Sequence, residues 1–327
     1  MREVFLATLT PMLTLFTCIA LGFLLRRGRL LPDNASSTMA KLETWVFFPA
    51  LSFMTMCRYC TPDTLGTHAK NVLLSAVGVA IAIGISLLLA PRFAKRGTSE
   101  HGVFLYAIAF ANSGYMGDPV VQALFGDEIL SYYKIYCLPV SLAIYTWGVS
   151  RMIPKGGKST LRRILNPPTV ALLLGVLAGL CGLLEVMPEF LVKALDSLRA
   201  CMGPVAMLLA GFTIASYPLR DMLTNKRVYA ASLLRLVAIP SVIIGALYGL
   251  KTVFTLATGI PIDNSVLFFT FFAVGTPLGL NTVVFPAAYG GEPKLGAGMT
   301  LISHTLAVIT IPLMVSLMTL LFGTPFA

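Results

Sequence analysis

Residues 110–128, FANSGYMGDPVVQALFGDE, align without gaps to residues 274–292, VGTPLGLNTVVFPAAYGGE. Identities fall at Val120/Val284, Ala123/Ala287, Gly126/Gly290 and Glu128/Glu292. Both stretches lie inside long apolar runs, and both gather residues that break helices. Asn112, Gly114, Gly117, Asp118 and Pro119 do so in the first; Gly275, Pro277, Gly279 and Asn281 do so in the second. Proline removes a backbone donor and blocks a helical bond, and glycine weakens the helix further. Within a bilayer the freed backbone groups must be satisfied by protein or by a water-filled cavity. Broken helices at corresponding places in two halves of a chain point to a solute-binding site between them. The competing reading is a pair of kinked helices packed closely without a ligand, since Gly and Pro are common in membrane spans.

Working outward, apolar stretches recur along nearly the whole chain, at about 6–25, 38–57, 71–91, 102–125, 129–150, 168–187, 192–216, 228–250, 264–289 and 296–322. Each is long enough to cross a hydrocarbon layer of about 30 Å as a helix. The composition agrees: 57% of residues are hydrophobic and 12% charged, about half the charged share of a soluble domain. Taking alternate loops as cytoplasmic, sixteen Lys and Arg fall on one side and five on the other, with Lys134, Arg199 and Arg235 inside spans. That asymmetry places both termini outside the cytoplasm. The basic linker 151–167 divides the chain into 1–150 and 168–327, five spans each. An odd number per half inverts the second half relative to the first. The expected fold is therefore an all-α membrane protein of ten transmembrane helices, a 5+5 inverted repeat with crossing broken helices in spans four and nine. Pro49 in span two and Pro204 in span seven repeat the correspondence.

Several classes drop out. The net charge of +10 is accounted for by basic cytoplasmic loops, so no nucleic-acid partner is expected. Cys57 and Cys60 form a CxxC without a second pair or a nearby His, which does not make a metal or redox site. Arg2 and the apolar run after it imitate a signal peptide, but the run ends in Arg26, Arg27 and Arg29 rather than a small-residue cleavage site; it reads as a retained first helix. No HExxH, GxSxG or P-loop pattern occurs, so neither an enzyme nor a cofactor is expected. A channel lined by the two broken helices is the rival reading, and saturable counterflow would separate it from a carrier.

Ionisable residues inside spans are functional candidates by default. Asp118, beside the break, either couples transport to H+ or Na+ or caps the half-helix that follows. Arg235 lies about 12 Å into span eight at 1.5 Å per residue, placed to attract a carboxylate, to pair with Asp118, or to snorkel. Lys134, in SYYKIY (131–136), is a coupling candidate that also looks like a snorkelling lysine in an aromatic belt. His304, in the middle of span ten, either titrates during transport or is a hydrogen-bonded packing residue. Asp196 and Arg199 are spaced for a helical ion pair. Gly175 and Gly179 form a GxxxG that marks close helix packing.

LGFLLRRGRLLP (21–32), FFPAL (48–52), NSGYMGDPV (112–120), NPPTVALLLGVL (166–177) and TPLGLNTVVFPAAYG (276–290) resemble the auxin efflux carrier family in its bacterial branch. The resemblance runs over nearly the full length. It implies a ten-helix inverted repeat, substrate binding at the crossover of spans four and nine, and a scaffold of spans one, two, six and seven that supports a homodimer. Bacterial members are associated with organic acids such as malonate. Asn112 and Pro119 match the first crossover of the family, and Pro277 and Gly279 the start of the second. Thr282 stands where plant carriers have their second crossover proline, so Asn281 and Thr282 replace it here. Asp118 occupies a position often apolar in the family. The expectation is a multi-pass secondary transporter of small organic anions in the bacterial cytoplasmic membrane. Its candidate site is Asn112, Gly114, Gly117, Pro119, Pro277, Gly279, Asn281, Thr282 and Arg235, with Asp118, His304 and Lys134 for coupling.

Overall fold

The computed structural model describes residues 2–152, 165–289 and 293–323, so most of the expected linker 151–167 lies outside the described residues. Within them the secondary structure is helical, with one isolated antiparallel bridge, Ala111 to Leu278. The main helices are α1 (Arg2–Arg27), α2 (35–59), α3 (Pro62–Phe93), α4 (Ser99–Ala109), α5 (113–136), α6 (138–152) and α7 (Pro167–Leu180). They continue with α8 (Glu189–Ala215), α9 (Lys226–Thr258), α10 (Ser265–Val274), α11 (Asn281–Tyr289) and α12 (Lys294–Phe322). Residues 68–93 of α3 and all of α8, α9 and α12 are long and apolar enough to cross a membrane.

The stretches expected as spans four and nine are not continuous helices. The first is α4, a break at 110–112, and α5 as far as Gly126, whose φ of 83° turns the chain. The second is α10, a longer break at 275–280, and α11. The gapless alignment therefore fits the ends of α4 and α10 to within a residue but not the starts of α5 and α11. Gly275, Pro277 and Gly279, alternating through the second break, keep more backbone out of helix than the first break does.

Prolines also explain where the helices widen. One-turn π segments occur at Glu43–Phe47 in α2, Ser113–Gly117 in α5, Ile144–Gly148 in α6 and Leu234–Ala238 in α9. Three of them contain the residue four positions before a proline: Trp45 before Pro49, Tyr115 before Pro119 and Leu236 before Pro240. There the proline ring clashes with the carbonyl one turn back, and the helix absorbs the clash by admitting an extra residue. Pro204, expected to answer Pro49, instead sits inside α8, which runs on as α-helix.

Glycine locks two helix pairs, α1 with α8 and α7 with α2. A Cβ on Gly22 of α1 would collide with the Leu208 carbonyl of α8, and one on Gly211 with the Ile19 carbonyl of α1. A Cβ on Gly175 would meet the Phe53 carbonyl oxygen at 2.5 Å, and one on Gly179 the Met56 and Cys60 oxygens at 2.6 Å. The GxxxG of α7 is thus a close-packing face against α2, as its spacing suggests. Arg58 of α2 adds a bond of 2.9 Å to Asp196 of α8, whose other oxygen takes the Arg199 Nε at 2.7 Å.

Candidate functional site

The two breaks cross each other. The Asn112 amide donates to the Pro277 carbonyl at 2.8 Å, beside the Ala111–Leu278 bridge, and the Leu278 amide donates to Ser303 Oγ of α12 at 3.2 Å. The extended backbone that each break exposes is therefore satisfied by the other break and by α12. Close approach depends on glycine: a Cβ on Gly117 would meet the Tyr133 hydroxyl at 2.6 Å and the Phe272 carbonyl at 3.1 Å. On Gly279 it would meet Tyr106 at 3.1 Å.

A cavity of about 70 Å³ lies against the crossing. One wall is α2, α7 and α8, through Phe48, Ser52, Thr55, Leu172 and Met202; the other is the crossing itself, through residues 111–115 and 279–281, with Asp118 and Lys134. A water needs only about 10–15 Å³ of such space, so there is room for a few waters or one small solute. Helices α5 and α11 both begin here. The early amides of α11 at Thr282 and Val283 donate to the Gly279 and Leu280 carbonyls, and those of α5 at Met116 and Gly117 to the Asn112 carbonyl, so each start offers the cavity its dipole, about half a positive charge. Phe48 of α2 braces the second start, stacked on Phe285 of α11 at 5.7 Å, and meets Tyr115 edge-on at 5.8 Å.

The expected site residues divide into two groups. Asn112, Gly114, Gly279 and Asn281 line the cavity, as do Asp118 and Lys134. Gly117, Pro119, Pro277 and Thr282 shape the breaks without lining it. Thr282 turns its hydroxyl back to the Gly279 carbonyl at 2.9 Å, and Pro277 supplies the carbonyl that receives Asn112. Each asparagine commits its amide nitrogen inward. Asn112 Nδ2 lies 3.0 Å from His304 Nε2, and Asn281 Nδ2 donates to the Tyr106 hydroxyl at 2.6 Å. Both Oδ1 atoms are buried without a hydrogen-bond partner.

The charged candidates are arranged differently from their sequence reading. Asp118 pairs with Lys134 and not with Arg235. Their side chains are 16% and 11% exposed, so Lys134 does not snorkel to the membrane surface. Nor does Asp118 hold a backbone amide as a cap; the residue before its helical turn is Gly117. Arg235 is fully buried and absent from the cavity. Its Nη1 donates to the Ile108 and Ala109 carbonyls at 2.9 and 3.2 Å, which ends α4 with a positive charge where the helix dipole is negative. His304 is fully buried, with Nδ1 2.9 Å from the Thr300 carbonyl.

Sequence reasoning passed over Glu43. It lies in the π turn of α2 and is fully buried; neither carboxyl oxygen closes a hydrogen bond, and no ion pair reaches it among the described residues. The signal was present, since an acid inside the apolar stretch 38–57 is itself a functional candidate. Lys41 beside it makes the stretch read as a helix end.

A multi-helix membrane protein with two crossed, broken helices closing on a small cavity of mixed polar and apolar lining has the build of a transporter. Residues 7–162 and 156–315 match the membrane transport protein family, and the chain belongs to that family, which is the auxin efflux carrier group that the motifs resemble. An uncharacterized transporter of Methanothermobacter thermautotrophicus is 27% identical over 186 residues, 55% of this chain and 60% of the relative. The chain thus spans less than two thirds of that relative's length. An uncharacterized transporter of Methanocaldococcus jannaschii is 21% identical over 304 residues, 90% of this chain and 94% of the relative.

Proposed function

We propose that the chain is a secondary carrier of small organic anions, mono- or dicarboxylates, working by alternating access at the crossing of the two breaks. The observation that carries this reading is the cavity itself. Two helix starts with positive partial charge converge on it, with Lys134 beside Asp118 and the asparagines 112 and 281 supplying amide groups. Its position supports the same reading, since the group α2, α7 and α8 stands on one side of it and the crossing on the other. Sliding of one group past the other would expose the cavity to either side in turn.

Under this reading the chain forms ten spans as a 5+5 inverted repeat, 1–150 and 168–327, with spans one, two, six and seven as a scaffold that supports a homodimer. The chain sits in a bacterial cytoplasmic membrane with both termini external. Two features support the repeat: helix–break–helix units in both halves, and matched family segments that meet at 156–162, within the basic linker. The carrier is either coupled to H+ or Na+ or facilitative, and the ion dependence of uptake separates the two.

The test is thermal stabilisation of purified protein across a panel of mono- and dicarboxylates, followed by counterflow in proteoliposomes with whichever acid stabilises. A carboxylate that raises the melting temperature and exchanges saturably supports a carrier of organic anions. Flux that does not saturate would favour a channel.

A further inference from the structure

Asn112 stands between the cavity and His304. The residue lines the cavity, its Nδ2 lies 3.0 Å from His304 Nε2, and its Oδ1 is buried without a partner. On the far side of the ring, His304 Nδ1 lies 2.9 Å from the Thr300 carbonyl. A carbonyl only accepts, so Nδ1 carries a hydrogen whether the ring is neutral or charged. Only Nε2 can change. When the ring is neutral Nε2 accepts, Asn112 turns its NH2 toward it, and the amide oxygen faces the cavity. When Nε2 is protonated it donates, Asn112 turns its oxygen inward, and the NH2 faces the cavity. The cavity thus meets an acceptor in one state and a donor in the other.

We infer that Asn112 and His304 form a proton-gated anion receptor, in which a carboxylate is bound through the Asn112 NH2 only while His304 carries a proton on Nε2. The inference rests on the organic-anion reading of the cavity. The step is a proton transfer from solvent to Nε2: one N–H bond forms, and the imidazolium charge offsets one negative charge of the ligand in a low-dielectric site. Asn281 does not gate in this way. Its partner is the Tyr106 hydroxyl, at 2.6 Å, which donates as readily as it accepts, so that amide can turn without a change of charge.

The surroundings leave His304 dependent on the ligand for a counter-charge. The elements packed on α12 bring His101 and Tyr106 on α4, Arg227 and Arg235 on α9, Tyr289 on α11 and Asp221 on the short helix Leu219–Leu223. Asp221 is taken up by Lys294, Arg227 by Glu100, and Arg235 by the α4 carbonyls. Helices α1 and α8 carry their acids and bases in the first and last turns of α1 and the first three turns of α8. Among the described residues no carboxylate pairs with His304. Binding of anion and proton is therefore reciprocal: each raises the affinity for the other by the same factor.

The chain has three histidines, which makes nitrogen NMR of histidine-labelled protein assignable, with His68→Gln and His101→Gln resolving the signals. In detergent without ligand, His304 should be the neutral Nδ1–H tautomer, and saturating malonate should convert it to imidazolium. Calorimetry in buffers of different ionisation enthalpy should then count about one proton taken up per malonate bound, as the linkage requires. His304→Gln should bind more weakly with an affinity independent of pH. An Nε2–H tautomer in the free protein overturns the proposal, as does malonate bound with no proton uptake. If the wild type binds no carboxylate at all, the anion reading of the cavity fails, while the tautomer still decides the geometry.

Discussion

Lys134 closes an ion pair with Asp118 although the two are sixteen residues apart. A straight helix would hold them about 24 Å from each other at 1.5 Å per residue. The turn at Gly126, with φ of 83° inside α5, brings the second segment back along the first. The pair beside the cavity is thereby built from two helical segments joined at Gly126.

Removing one partner should cost more than removing both. Lys134→Met leaves the Asp118 carboxylate without its cation at a mostly buried position and should destabilise by up to about 3 kcal/mol. Asp118→Asn combined with Lys134→Gln should recover part of that. Melting temperatures of the single and double variants decide it, and a double variant that loses the sum of the two single losses would mean that the pair contributes no coupling energy. If Asp118 also couples transport to an ion, Asp118→Asn should flatten the pH or sodium profile of uptake. An unchanged profile would remove it from the coupling candidates.

Asn112→Ala and Asn281→Ala should abolish or strongly weaken transport while leaving folded protein in the membrane. Each removes a polar partner from a buried site, a loss of about 1–3 kcal/mol, which is roughly ten- to a hundredfold in affinity. Binding titrations with the stabilising carboxylate read this directly, and normal affinity in both variants would sink the site assignment.

Arg235 is used at one nitrogen. Its Nη1 bonds two carbonyls, while Nε and Nη2 have no partner. Arg235→Leu should cost about 2–4 kcal/mol, since two buried carbonyls lose a charged donor. Arg235→Lys should regain much of it, because a point charge can serve the same two acceptors. A lysine variant as unstable as the leucine variant would show that packing of the guanidinium, and not the carbonyl contacts, holds the site.

Glu43→Gln should fold with stability unchanged within about 1 kcal/mol, or improved, because a buried carboxylate without an ion-pair partner is costly and the amide keeps its shape. The readout is again melting in detergent. A drop of several degrees would mean that the carboxyl makes an interaction that an amide cannot replace.

The sixteen-to-five division of basic residues predicts a cytoplasmic reporter after Gly156 and an external one at Ala327. A cytoplasmic signal at Ala327 would put the span count wrong by one.

What the sequence revealed and what it hid follow one physical division. The positions of the breaks were legible because Asn112, Gly117, Pro119, Pro277 and Gly279 act on their own backbone, and local chemistry is written locally. The lengths of the breaks were not, since the second extends from 275 to 280 only by leaning on the first. Partners were hidden for the same reason. Nothing near Asn112 announces His304, 192 residues away, and nothing near Arg235 announces the end of α4. The Asp118–Lys134 pair needed the turn at Gly126. Glu43 was visible as an acid inside the apolar stretch 38–57 and was passed over.

The glycine contacts between α1 and α8 and between α2 and α7 carry a mechanical consequence. Where backbone rests on backbone there is no side chain to swing aside, so those seams behave as a keel with no give. Any travel in the working cycle must be taken up where side chains separate the parts, along the Phe48–Phe285 stack and the walls of the cavity. Stiffness on one flank concentrates the motion on the other, along the cavity wall that the crossing forms.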